Sequence, residues 1–380
     1  MLSGSGSISG RLPLPDERPR LGHLATLRWG LLASALALAA VGLFAVRSAS
    51  AEVAADYFTR QLVWVAAGLV AMLFAFGVDY HRLLGMAPLV YGAGLVALVL
   101  VLFVGHEAGG ATGWFRIGSV GIQPSEFAKL ATALMLARYL AGLAEKRLSS
   151  RHIMTAIALA AAPMLLTAVE PDLGGAAMFA PMVAGMLLVA GVRPRLLIGA
   201  AIAALVVGSL VWNFGMKDYQ RQRVLTFLAP SQDPQGAGYH VRQSKIAVGS
   251  GQLTGRGYMQ GTQSQLRFLP ARHTDFILAV IAEEAGFLGV GTVLALYGAF
   301  LASAASVALR SRDRAGILLV TGLASITALH VLYNSAMVIG LLPVTGIPLP
   351  FLSYGGSFTL ATWVSVGLIL GVDFRRYVNR

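Results

Sequence analysis

Cysteine is absent from the 380 residues, so neither disulfides nor thiol chemistry is available. Charge is nearly as scarce: Asp, Glu, Lys and Arg make up 12% of the chain against 56% apolar residues, and the mean hydropathy is +0.71. A chain of this composition cannot cover itself with a soluble surface. Also missing are GxxxxGK followed by Ser or Thr, HExxH and GxSxG, which removes sequence support for nucleotide hydrolysis, zinc proteolysis and serine-esterase chemistry. No internal repeat is evident, so the inverted-repeat mark of many transporters is lacking. No basic, aromatic-interleaved soluble segment occurs either, and the net charge of +12 is therefore no sign of nucleic acid. The basic residues sit in short clusters between hydrophobic runs, where they orient a membrane protein and meet anionic headgroups.

What the chain has is apolar runs of about 20 residues, the length that crosses a bilayer as a helix. Barrel strands would show short alternating segments instead, so the expected class is all-α, a polytopic integral membrane protein. Residues 1–23, rich in Gly, Ser, Pro and Arg, read as a disordered cytoplasmic tail, and 24–380 as a single membrane domain. The first span, 29–46, is followed by Ala49 and Ala51 in a small-residue pattern that a signal peptide would share; we read it as a retained anchor. Further spans are expected at 62–78, 86–105, 124–143, 153–169, 174–191, 195–214, 276–305, 315–341 and 356–372, ten in all. The Arg and Lys clusters at 11–28, 82, 138–151, 193–195, 310–314 and 375–380 then fall on one side, which the positive-inside rule makes cytoplasmic, with both termini. Residues 106–122, 170–173, 342–355 and a long loop at 215–275, between helices seven and eight, are left facing outward.

All the motif-like sequence lies in those outward segments. The long loop carries Lys217, Arg221, Arg223, Arg242, Lys245, Arg256, Arg267 and Arg272 against Asp218, Asp233 and Asp275. Such a surface suits an anionic partner such as a diphosphate, or simply lipid headgroups. Asp275, after His273 and Thr274, stands where the aqueous loop enters an apolar run; it is our lead catalytic candidate, with helix capping as the plain alternative. Glu283 and Glu284 lie two turns deeper, where charge is expensive; they pack helices or face a polar cavity. In GWFRIGSVGIQPSEFAKL, Pro124 suits a first helical turn, and Glu126 and Lys129, three apart, share a face and can pair within the membrane. Trp114 and Arg116 lie just outside, as belt residues would. VEPDLGGA places Glu170 and Asp172 at a tight turn. LLPVTGIPLPFLSYGGSF cannot continue a helix, and non-helical backbone at that depth lines a cavity.

Together these stretches resemble the SEDS family of polytopic membrane proteins, more closely its RodA branch than the division paralogue FtsW. The resemblance covers nearly the whole chain after the tail and is most specific in GWFRIGSVGIQPSEFAKL, in the QSKIA and QGTQSQ segments, in the run to RHTDFI, and in LPVTGIPLPFLSYGGS. It implies a peptidoglycan glycosyltransferase of the bacterial inner membrane that polymerises lipid II during cell elongation, beside a class B penicillin-binding protein and the elongation machinery. The family's essential loop aspartate falls on Asp275, its motif tryptophan on Trp114 and its polar span residues on Glu126 and Lys129. Arg60, Arg116, Arg221, Arg223, Lys245, Gln263, Ser264, His273, Thr274, Ser353 and Tyr354 complete the expected substrate site. The family also suggests a divalent cation, Mg²⁺ or Mn²⁺, for which the sequence offers no ligand spacing. Two departures stand out: Ala271 where relatives commonly have Glu, and Glu170 where they commonly have Gln. A flippase for the lipid-linked precursor is the competing reading, and a scaffold for the wall-building complex a third.

Overall fold

The structure, a computed structural model, describes residues 27–51, 56–108, 111–118, 120–143, 148–199, 202 and 237–376. The N-terminal tail, Arg221, Arg223 and most of the expected span at 195–214 lie outside the described residues. Helices α1 (Trp29–Ser50), α2 (Tyr57–Gly77) and α3 (Tyr80–Val104) lead into three short strands, β1 (His106–Ala108), β2 (Ala111–Ile117) and β3 (Val120–Ile122). Then come α4 (Pro124–Ala141), α5 (Ser150–Val169), α6 (Leu173–Ala177) and α7 (Phe179–Val189). After a helix that starts at Pro194, the chain resumes with α8 (Ala237–Gly251), α9 (Thr262–Gln265), α10 (Ile277–Arg310), α11 (Arg314–Val338) and α12 (Gly356–Arg375).

Seven of these helices are long and apolar enough to cross a membrane: α1, α2, α3, α5, α10, α11 and α12. Helix α4 carries Glu126, Lys129 and Arg138 and is enclosed on nearly all sides by its neighbours, so its charges meet protein rather than lipid. The expected span at 174–191 is two helices, α6 and α7, parted at Met178. Pro181 offers no N–H to the Ala177 carbonyl, which ends the first segment. The expected loop at 106–122 is an antiparallel sheet in the order β1-β2-β3, an addition to the all-α reading, with His106 opposite Trp114 and Phe115 opposite Ile122.

The long span expected at 276–305 is broken at Gly286, whose φ of 66° and ψ of −162° are open only to glycine. The cause is an exchange of backbone partners. In a continuous helix the N–H groups of Phe287 and Leu288 would donate to the carbonyls of Glu283 and Glu284. Instead those carbonyls accept from Arg256 and Gly257 (2.9 and 3.0 Å), and Phe287 and Leu288 donate to Gln252 and Leu253 (2.9 and 3.1 Å). Every group keeps a partner, as backbone at membrane depth must. Gly255, with φ of 84°, passes so close that a side chain would strike the Glu284 carbonyl.

The N-termini of α2, α4, α10 and α12 gather at one end of the bundle. At the other, arginines close the helix ends: Arg375 donates to Phe76 and Gly77 carbonyls (3.0 and 2.8 Å), Arg314 to Leu143 and Ala190 (2.7 and 3.3 Å), and Arg138 to Leu84 (3.0 Å). Asp373 receives the Arg28 N–H at 2.8 Å and an Arg376 guanidinium N–H at 2.6 Å.

Gly286→Ala is expected to destabilise the protein by about 1–3 kcal/mol, since the added Cβ would lie 2.4 Å from the Gly255 nitrogen in a conformation closed to alanine. Gly291→Ala, on the same helix with nothing within 4 Å, should cost nothing. Thermal unfolding of the detergent-solubilised protein compares the two; equal melting temperatures would show that the exchange at Gly286 imposes no glycine requirement.

Candidate active site

Asp275 is fixed through its backbone. Three consecutive carbonyls are held: His273 accepts from the Tyr354 N–H (2.9 Å), Thr274 from the Ser353 hydroxyl (2.6 Å) and Asp275 from the Asn334 amide (2.8 Å). The same Asn334 Nδ2 donates to the Ile347 carbonyl at 2.8 Å, and the Ser353 hydroxyl accepts from the Leu349 N–H at 2.8 Å. Gln61, from α2, donates to the Ser353 carbonyl (3.3 Å) and accepts from the Gly355 N–H (3.2 Å). The proline-rich loop before α12 and the turn before α10 are thereby sewn together. Phe276 takes the N-cap position of α10, one residue after Asp275.

Asp275 lines a cavity of about 610 Å³ at that end of the bundle, with Thr274, Arg60, Trp114, Arg116, Glu126, Lys129 and Tyr354. Trp114 and Arg116 alternate on strand β2 and so present one face. Lys129 and Glu126, one turn apart on α4, pair at 2.8 and 2.9 Å while almost wholly buried. Arg60 and Arg116 are exposed, and Arg60 and Tyr354 line the cavity together. Asp172 caps α6 through the Gly175 N–H (2.7 Å) and accepts from the Gln123 amide (3.0 Å), which fixes another wall. His273 is near the rim, stacked on Tyr57 with ring centres 4.3 Å apart; burial, with the neighbouring Arg272 charge, holds its imidazole below the usual range.

The family model described as cell cycle protein, for FtsW, RodA and SpoVE, matches residues 28–377. The chain belongs to the FtsW/RodA/SpoVE family. Among curated members of the family, Peptidoglycan glycosyltransferase MrdB of Escherichia coli is 41% identical over 83% of this chain and 85% of its own length. Peptidoglycan glycosyltransferase RodA of Treponema pallidum is 31% identical over 91% and 97%. A chain solved in work on the coordination of polymerization and crosslinking by a peptidoglycan synthase complex superposes with a TM-score of 0.80 at 35% identity, covering 92% of this chain and 98% of that one. The Rod shape determining protein RodA of Thermus thermophilus superposes at 0.70, with 31% identity, 92% and 97%.

Lys245, Gln263, Ser264 and Ser353, expected at the substrate site, do not line this cavity. Gln263 and Ser264 donate their backbone N–H groups to the Glu283 carboxylate (2.8 and 3.0 Å), away from the cavity. Glu283 also accepts from the Thr262 hydroxyl (3.3 Å), which ties that segment to α10, and Glu284 accepts from the Ser48 hydroxyl of α1. Lys245 lies against Gly340 at the end of α11. Ser353 is buried and makes the contacts above. Gln123, a candidate cap for the helix at Pro124, takes the N-cap position without a side-chain cap bond, whereas Gln61, His330 and Asn334 were not singled out from sequence. Their signal was available: a polar residue inside an apolar run, and for His330 and Asn334 a four-residue spacing that puts both on one face. Among the described residues no three His, Asp or Glu side chains gather to hold a metal. The three cavity carboxylates are divided between Lys129, Gln123 with Gly175, and the turn before α10, so the donor set does not fit a resident Mg²⁺ or Mn²⁺.

Glu170 is fully buried beneath Gly113 of β2, and neither carboxyl oxygen has a hydrogen-bond partner. Burial, with the Asp172 charge adding to it, pushes its carboxyl up to about 8. The folded protein therefore keeps a proton that the unfolded chain releases near its ordinary value of 4.5. This contribution to stability is complete below that value, declines as pH rises and levels off above about 8. Glu170→Gln should flatten the fall in melting temperature between pH 5 and pH 8.5 and raise it at the upper end; a slope identical to the parent's would place the titration elsewhere.

Proposed function

We propose that the chain polymerises lipid II into glycan strands, as a peptidoglycan glycosyltransferase of the elongation type. The observation that carries this is the placing of Asp275: a carboxylate secured by three successive backbone contacts in a cavity rimmed by Arg60 and Arg116. Joining two sugars requires a proton to leave the acceptor 4-hydroxyl as its oxygen attacks the anomeric carbon of the donor, while the bond from that carbon to the diphosphate breaks. Asp275 takes the proton. Arg60 and Arg116 meet the negative charge that gathers on the departing diphosphate. One base and one stabilised leaving group suffice to turn an α-linked donor into a β-linked product. A Mg²⁺ or Mn²⁺ ion would be one that arrives with the diphosphate, and no step depends on it.

The cavity faces the periplasm in this reading, because the opposite end holds Arg138, Arg314 and Arg375, and arginine marks the cytoplasmic side. Both termini then lie in the cytoplasm. The similarity to a chain of a peptidoglycan synthase complex supports a class B penicillin-binding protein as the partner that crosslinks the product.

Purified protein, reconstituted with that partner and given lipid II, should form glycan strands resolved by gel. Asp275→Asn should lose roughly 10²–10⁴-fold of that rate with its melting temperature unchanged. Polymer at the parental rate from the variant would remove Asp275 from the chemistry, and lipid translocation by protein unable to polymerise would favour a flippase.

A further inference from the structure

We infer that the inner end of the cavity is a saccharide subsite, in which His330 accepts a hydrogen bond from a hydroxyl or amide N–H of the sugar while the diphosphate stays at the rim. The inference rests on the polymerase reading for the identity of the ligand, not for the chemistry of the subsite.

His330 is 2% exposed and lines the cavity together with Lys129, Glu126 and Phe358. Its Nδ1 lies 2.9 Å from the Pro348 carbonyl oxygen. A carbonyl can only accept, so in the neutral ring the hydrogen is on Nδ1 and Nε2 presents a lone pair. No described group donates to that Nε2, which is shielded from solvent. An acceptor buried without a partner carries a desolvation cost that a donating ligand returns.

The charges around it decide what that ligand is. Lys129 is matched by Glu126 at 2.8 and 2.9 Å, so the floor has no spare positive charge. A diphosphate brought there would meet the Glu126 carboxylate and a lone pair, both repelling. A sugar hydroxyl or amide N–H meets two acceptors instead, and the Phe358 ring, 5.1 Å from the imidazole, gives an apolar wall. A smaller cavity of about 30 Å³ continues inward from the same four residues, bounded by Thr327 and Thr362, with room for a ligand substituent or one or two waters. The exposed cations, Arg60 and Arg116, are at the opposite, outer end. The cavity thus sorts a lipid-linked sugar along its depth: sugar innermost, diphosphate outermost.

Two ligands separate these ends. Lipid II carries sugar and diphosphate; undecaprenyl diphosphate carries only the second. Binding of each is measured by native mass spectrometry on the full chain in detergent, with Asp275→Asn present throughout to prevent turnover. His330→Phe should weaken lipid II by roughly tenfold or more and leave undecaprenyl diphosphate unchanged. His330→Gln, which restores a carbonyl acceptor, should recover most of the loss. With Asp275 intact, His330→Phe should raise KM for lipid II more than it lowers kcat. The ratio of the two affinities on one preparation is insensitive to how much of it is folded. An unchanged ratio in His330→Phe overturns the inference. A changed ratio in a protein that makes no polymer leaves the subsite standing and counts against the polymerase reading alone.

Discussion

The two amide hydrogens of Asn334 determine the geometry of the cavity more than any other contact. One side-chain nitrogen, on a helix that begins at the far end of the bundle, bridges the Asp275 and Ile347 carbonyls at 2.8 Å each. Two irregular segments, each too rich in proline or turn geometry to form secondary structure, are made rigid by that bridge. Ser353 and Gln61 extend it, so the aspartate is set by backbone contacts from α2, α11 and the loop before α12. The residue so placed lines the cavity. In a membrane interior such contacts also meet a separate need, because irregular backbone there must be satisfied by protein.

Electrostatics follow a similar economy. Removing Lys129 and Glu126 from water is costly for each alone, and the pair is tolerated because the two charges are within 3 Å and α4 is shielded from lipid. Glu170 has no such partner and meets burial by keeping its proton, a solution that a glutamine at the same place would reach without titrating. The floor of the cavity therefore holds a matched pair, and of its charged residues Arg60 and Arg116 are the exposed ones. Charge is graded from the inside outward, which suits a ligand with a neutral head and an anionic waist.

Much of this was legible in the residues. Apolar run length gave the membrane-crossing helices, since crossing demands continuous hydrophobicity that nothing else in the chain requires. The polar stretches between runs held Asp275, Trp114 and Arg116, the expected span at 124–143 held Glu126 and Lys129, and these do line one cavity. The illegible parts depend on partners far apart in sequence. Gln263 and Ser264, expected at the substrate site, do not line the cavity, and their N–H groups donate to Glu283, some twenty residues away. The strands at 106–122 are only three to seven residues long and show no alternation that a short loop would lack. The break at Gly286 was hidden in an unbroken apolar run, because its cause is a loop some thirty residues earlier.

That break also changes what kind of object α10 is. Its backbone and the 252–257 segment share four hydrogen bonds in a crossed pattern, so neither can be pulled away without stranding polar groups on the other. The helix cannot straighten while the loop is inserted. A tug on this loop, by lipid or by a bound protein, is transmitted through a rigid knuckle to the short helical stub Ile277–Ala285, whose leading end is the turn that carries the aspartate.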